Sequence, residues 1–142
     1  MIPFIQSADA FRPGAAEARF RAVDVLAERG LLEWSVVDPG SINPATFVEA
    51  EMGGPGSIYL NPGEHIRRSR DLAARFGFVP SYAIYEPGFV RFGEALARVV
   101  PGCPAPVYRF LFSDLFTFGF PPQAYALEAY FRLPEEAALG PA

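Results

Sequence analysis

Apolar positions along this chain fall into two arrangements, short runs that end abruptly in an acid and turn residues, and longer stretches where apolar residues recur every three or four positions. The clearest run is Trp34-Ser35-Val36-Val37-Asp38-Pro39-Gly40, where a strand-length segment delivers a carboxylate into a loop. The design recurs at Tyr82-Ala83-Ile84-Tyr85-Glu86-Pro87-Gly88, at Val107 to Asp114, and at Phe4 to Asp9. Between the runs lie helical patterns. Phe20, Val23 and Ala27 share one face from Ala16 to a stop at Gly30, with Glu17, Arg21, Asp24 and Glu28 between them. Asn61-Pro62-Gly63-Glu64 reads as a cap, a first-turn proline and a back-reaching glutamate, opening a helix that runs to about Arg75 and stops at Gly77. Further helices are expected from about Val90 to Val99 and from Ala124 to Leu133, the last ended by Pro134.

Strands alternating with helices imply parallel pairing through crossover connections. Ligands in such sheets gather at the carboxyl ends of the strands, where Asp9, Asp38, Glu86 and Asp114 fall. No G-x-G-x-x-G or Walker sequence follows a strand, so nothing favours a nucleotide fold, and the repeated unit favours a barrel. The expected class is α/β, a partial (β/α)8 TIM barrel of about four parallel strands with intervening helices. A full barrel takes roughly 250 residues, so residues 1–142 read as one incomplete barrel domain, with 134–142 a flexible tail. The connection from Asp38 to about Ser57 is long for a spacer and reads as a functional loop.

Composition narrows the partners. A hydrophobic content of 51% supports a buried core, and a net charge of -4 with no broad basic face argues against nucleic acid. Arg67, Arg68 and Arg70 read as the solvated face of a helix. No apolar stretch reaches the ~20 residues of a membrane span, and Met1-Ile2-Pro3 lacks a basic leader, which gives a cytoplasmic expectation. Cys103 is the sole cysteine and has no internal disulfide partner.

Asp38 and Glu86 suit general-base work, a magnesium-like ion or a substrate cation, or else they cap turns through backbone hydrogen bonds. Ser41 and Asn43, just past the turn, either donate to a substrate oxygen or stabilise the loop. His65, the only histidine, is expected at a solvated position early in its helix, and no H-x-H, C-x-x-C or H-E-x-x-H metal signature occurs. Arg109 shares a strand face with Leu111 and Ser113. Facing a barrel interior, it requires a carboxylate or an anionic ligand; facing outward, it covers a helix.

Gly40-Ser41-Ile42-Asn43 after a strand, Asn61-Pro62 opening a helix and Ile84-Tyr85-Glu86-Pro87-Gly88 closing the next strand resemble the middle of the β-keto acid cleavage enzyme family. That family includes 3-keto-5-aminohexanoate cleavage enzyme, and the resemblance spans nearly the whole chain. It implies a (β/α)8 barrel with zinc or another divalent metal, transferring an acyl fragment from a β-keto acid to acetyl-CoA. The metal polarises the keto acid so that the carbon–carbon bond breaks. It maps the family's G-S-x-N loop onto Gly40, Ser41 and Asn43, a strand-ending acid onto Glu86, and an earlier serine onto Ser7.

The family's metal-binding H-x-H pair and its R-V-G-x-E-D stretch have no counterpart in this sequence. Asp38-Pro39 stands where many members have Thr-Thr, and Ser81 and Ala83 replace acids found in some members, which disfavours an amino-substituted substrate. The expectation is therefore the central segment of such an enzyme, bearing part of the pocket and none of the metal ligands, and inactive alone. The alternative is a non-catalytic interaction module. Either way the chain is expected to form a homo-oligomer or to need a complementary barrel segment.

Overall fold

The computed structural model describes residues 9–138, and its centre is a three-stranded parallel sheet in the order β1-β2-β3. The strands are β1 Trp34–Val37, β2 Val79–Ile84 and β3 Val107–Phe110. Five helices intervene or follow: α1 Ala15–Glu28, α2 Phe47–Glu51, α3 Gly63–Phe76, α4 Pro87–Ala97 and α5 Ala124–Ala138. The expected strand Phe4 to Asp9 and Ser7 lie outside the described residues, except Asp9, which occupies a turn and pairs with Arg12 at 3.0 Å. The described sheet thus has three of the four expected strands. Sequential order with parallel pairing is shared by barrels and by one half of an open doubly wound sheet.

Register assigns every strand residue to a face. Val36, Ser81 and Val107 lie side by side, as do Val37, Tyr82 and Tyr108. By the period of two, Trp34, Val79, Ala83 and Arg109 join the first set, and Ser35, Pro80, Ile84 and Phe110 the second. The second face carries the core: Val37, Tyr82 and Ile84 pack with Ile42, Ile66, Phe89, Val90 and Tyr130. A smaller cluster of Phe20, Val23, Ala27, Leu72, Ala73 and Phe78 binds α1 to α3. Each large side chain fully buried in this way contributes about 1.5–3 kcal/mol.

Pro80 sits in the central strand, where proline removes a ladder hydrogen bond. The cost is avoided by register. Val79 N donates to Glu33 O on the β1 side, so the next nitrogen faces the β3 side, where pairing begins only at Ser81 opposite Val107.

Several expectations are corrected. Asn61 does not cap α3; Pro62 holds the cap position and makes no side-chain cap bond. The Asn61 side chain reaches across to Gly40 and Arg19 instead. The long loop contains α2, fixed by a capping box in which Glu49 N donates to Thr46 Oγ1 at 3.1 Å and Thr46 N to Glu49 Oε2 at 2.8 Å. β2 starts at Val79, ahead of the expected Tyr82, because Val79 to Ser81 pair with β1. α5 runs through Pro134 to Ala138, so 134–138 extend the helix and form no tail.

His65 is only 1% exposed, contrary to the solvated position expected, because α3 turns it towards α1. Arg70 is 2% exposed and donates to the Tyr82 hydroxyl beneath the helix, whereas its neighbour Arg68 meets Asp24 at 3.3 Å.

Candidate functional site at the carboxyl end of the sheet

Asp38 leaves the last residue of β1 and Tyr85 and Glu86 follow the last of β2, so parallel pairing sets them at one end of the sheet. Gly40 comes next, under the ring of Phe89; a Cβ there would lie 2.2 Å from that ring, so only glycine lets the loop pass. The loop is then pinned by Asn61. Its amide donates to Gly40 O at 2.7 Å, its backbone N–H donates to Ser41 Oγ at 2.8 Å, and Ser41 Oγ donates to Asn61 O at 3.3 Å. Arg19 Nη2 donates to Asn61 Oδ1 at 2.6 Å, and Arg19 Nη1 to Leu60 O at 3.3 Å. An arginine from α1 therefore stands behind the loop after β1.

Asp38 is a half-buried carboxylate. Its Oδ2 accepts the Tyr59 hydroxyl, and its Oδ1 is buried without a hydrogen-bond partner. Burial raises its pKa above the ordinary 3.8, opposed by Tyr59 and by the charges of Arg109 and Arg19. Tyr59 is pushed up in turn, by burial first and then by Asp38. Its segment is positioned by an antiparallel bridge, with Tyr59 N donating to Ile42 O at 2.9 Å and Ile42 N to Tyr59 O at 3.0 Å. Arg19 is pushed down by burial, and His65 by burial and then by Arg19, whose Nη1 lies 3.4 Å from His65 Nδ1. The space among Arg19, Asp38, Tyr59, Asn61 and His65 has room for about one water molecule, too little for a substrate.

Arg109 belongs to the face turned away from the helices. Its Nε donates to Ser81 Oγ at 2.9 Å and its side chain is exposed. It acts electrostatically on Asp38, and Tyr85 feels both. Tyr85 is half-buried among Tyr59, Phe89 and Phe118, edge-to-face with each at 5.6–6.3 Å. Glu86 Oε1 accepts Gly119 N at 2.9 Å, tying the aromatic loop after β3 to the end of β2. Gly119 has φ 72° and lies where a Cβ would meet Tyr85 O at 2.4 Å, so this tie depends on glycine. Thr117 N donates to Ala45 O at 2.9 Å, joining the loops after β1 and β3.

Of the residues expected at the site, Gly40, Ser41, Glu86 and Arg109 all stand at or near this end. The Ser41 hydroxyl is engaged with Asn61 and Glu86 is engaged with Gly119, whereas Asn43 is an exposed loop residue. Asp114 is exposed beyond the turn in which Ser113 Oγ accepts Leu115 N and Phe116 N, each at 3.0 Å. Tyr59, Tyr85, Asn61 and Arg19 are missed by sequence reasoning. Only Asn61 carried a signal, and its polar side chain read as a local cap.

The fold and site define an α/β protein with a parallel sheet and polar residues gathered at the strand carboxyl ends. Compared with protein-family models the chain matches none, and no curated protein matches it either. Among the described residues no group of three or more His, Cys, Asp or Glu side chains is placed to hold a metal ion, and no helix is long and apolar enough to cross a membrane.

Proposed function

We propose that this chain carries part of the substrate pocket of a β-keto acid cleavage enzyme, a metal-dependent barrel that transfers an acyl group from a β-keto acid to acetyl-CoA. The observation that supports it is the shape of the loop after β1: Gly40 and Ser41 are locked by Asn61, two residues ahead of α3, so the two sequence stretches that carry the resemblance meet in space. Glu86 lies at the end of the next parallel strand. On this reading Asp38, Tyr59, Tyr85 and Arg109 line one side of the acid-binding end. The described residues do not fit a metal site, and His65 is buried against Arg19. Metal chemistry on this reading belongs to residues supplied from outside positions 9–138, and acetyl-CoA binds with them.

The test is reconstitution. The 142-residue chain, given zinc, acetyl-CoA and a panel of β-keto acids, is expected to turn over little or nothing. Mixed with a polypeptide bearing the H-x-H and R-V-G-x-E-D segments, it is expected to form the acyl-CoA product. No product from any mixture would remove the proposal, and rapid turnover by the chain alone would refute its incompleteness.

A second reading, a non-catalytic module that binds another chain, is favoured by the partly exposed face of the sheet. Trp34 is 57% exposed and Val107 55% exposed there, whereas parallel sheets ordinarily have both faces covered. Complex formation with the same polypeptide but without acyl transfer would favour this reading.

A further inference from the structure

On the face of the sheet turned away from the helices, Glu33, Trp34, Val79, Ser81, Val107 and Arg109 line one shallow groove of about 500 Å³. Its middle is apolar and its two ends carry opposite charges. Trp34 pairs with Val79, and Arg109 pairs with Ala83 further along β2. Glu33, just ahead of β1, and Arg109, on β3, therefore mark diagonal corners of the face. Neither charge is met by an ion pair. Glu33 is exposed and makes none among the described residues; Arg109 is exposed, donates Nε to Ser81 Oγ, and makes none among them either.

A surface that is apolar at its centre and opposite in charge at two corners is complementary to itself. In a two-fold dimer every contact occurs twice with its roles exchanged. An axis lying between two such faces, at right angles to the diagonal from Glu33 to Arg109, sets each Glu33 against the Arg109 of the other copy. It also carries each Trp34 over the β3 side of the other groove, where Ser81 is the small residue of the floor and Val107 its wall. An axis along the diagonal would set like charges together, which opposes it. We propose that this face binds a second copy of the same chain in the first arrangement, with Trp34 and Val107 leaving water at its centre. The proposal rests on the module reading above and names its partner. Three strands of four to six residues cover roughly 300 Å² in projection, small beside the about 800 Å² per partner of a standard interface. The dimer is therefore reversible, and the dilute chain is monomeric.

Exchanging the charges tests the arrangement. Sedimentation velocity on the 142-residue chain between about 1 μM and 1 mM is expected to show a monomer–dimer equilibrium. Glu33→Arg and Arg109→Glu, both at exposed side chains, each set like charges face to face twice and should weaken the dimer about tenfold or more. The two variants mixed in equal amounts restore both opposite-charge pairs and should return to the parent's affinity, a recovery that misfolded variants could not give. A monomeric parent, single variants that associate as the parent does, or a mixture as weak as its components each overturns the inference. Association that ignores the exchange belongs to the strand edges. If the parent is monomeric yet binds the polypeptide with the H-x-H segment, the inference falls and the module reading stands. A dimer rescued by mixing, in a chain that also performs acyl transfer on reconstitution, would keep this interface and remove the non-catalytic reading.

Discussion

The two faces of the sheet are built from one set of strands and live in different surroundings. On the helix-covered face Tyr82 and Ile84 have no exposure, and Tyr130 of α5 stacks on Phe110 at 4.8 Å. On the other, Trp34 and Val107 stand half in water around a shallow groove shared with Glu33, Val79, Ser81 and Arg109. The partly exposed face is still largely apolar in its composition. Trp34, Val36, Val79 and Val107 are residues suited to strands packed on both sides. Burial is therefore most complete on one side of the sheet, while the other keeps exposed apolar surface at Trp34 and Val107 together with the exposed Arg109 side chain.

The largest effect that would break this comparison is on the covered face. Ile84→Ala should cost about 2–5 kcal/mol, while Val107→Ala or Trp34→Ala should stay within about 0.5 kcal/mol; urea unfolding of the three variants side by side decides it. Equal losses on both faces would mean that the partly exposed face is packed in solution. Next in size is Asn61→Ala, which takes the Asn61 side chain away from Arg19 Nη2 and Gly40 O and should cost about 1–3 kcal/mol, read the same way.

Association comes third. Two strand edges in the described sheet and an apolar face predict self-association, which Val107→Lys should reduce in sedimentation velocity runs. Trp34 is the only tryptophan, so its fluorescence should shift to shorter wavelength as concentration rises in the parent and less so in the variant.

The smallest effect is a slope with pH. Burial raises the folded-state pKa of Asp38 above 3.8, so the folded protein holds that proton more tightly than the unfolded chain. The group is least unfavourable at low pH, and its penalty grows as pH rises from about 4 through the folded value. Asp38→Asn keeps an oxygen for Tyr59 and should gain stability on the parent as pH rises from about 4 to 7, measured as urea midpoints across that range.

How far the sequence could be read follows from the range of each force. α1, the stop of α3 at Gly77 and the acid ending β1 were legible because capping and periodicity act over a few residues. α2 was too short for a periodic signal, and its Thr46–Glu49 box went unread. Burial of His65 and Arg70 was invisible, since each is decided by a partner on another element, Arg19 and Tyr82. The same holds for the site. Asp38, Glu86 and Arg109 could be picked out from their strands, but Tyr59 reaches Asp38 across 21 residues and Arg19 reaches Asn61 across 42. Pro134 was read as a stop because proline ordinarily ends a helix, yet α5 continues through it.

The hold of Asn61 on the loop after β1 also bears on the order in which the chain takes shape during its synthesis. Gly40 leaves the ribosome 21 residues ahead of Asn61, about 1–4 s at ordinary elongation rates. Through that interval the loop has no clamp, and the Arg19 guanidinium must stay hydrated until Asn61 arrives to accept its hydrogen bond. A nascent chain paused before residue 61 would hold the segments of α1 and β1 but not β2, the strand that β1 pairs with, so the loop after β1 would have neither its clamp nor its sheet.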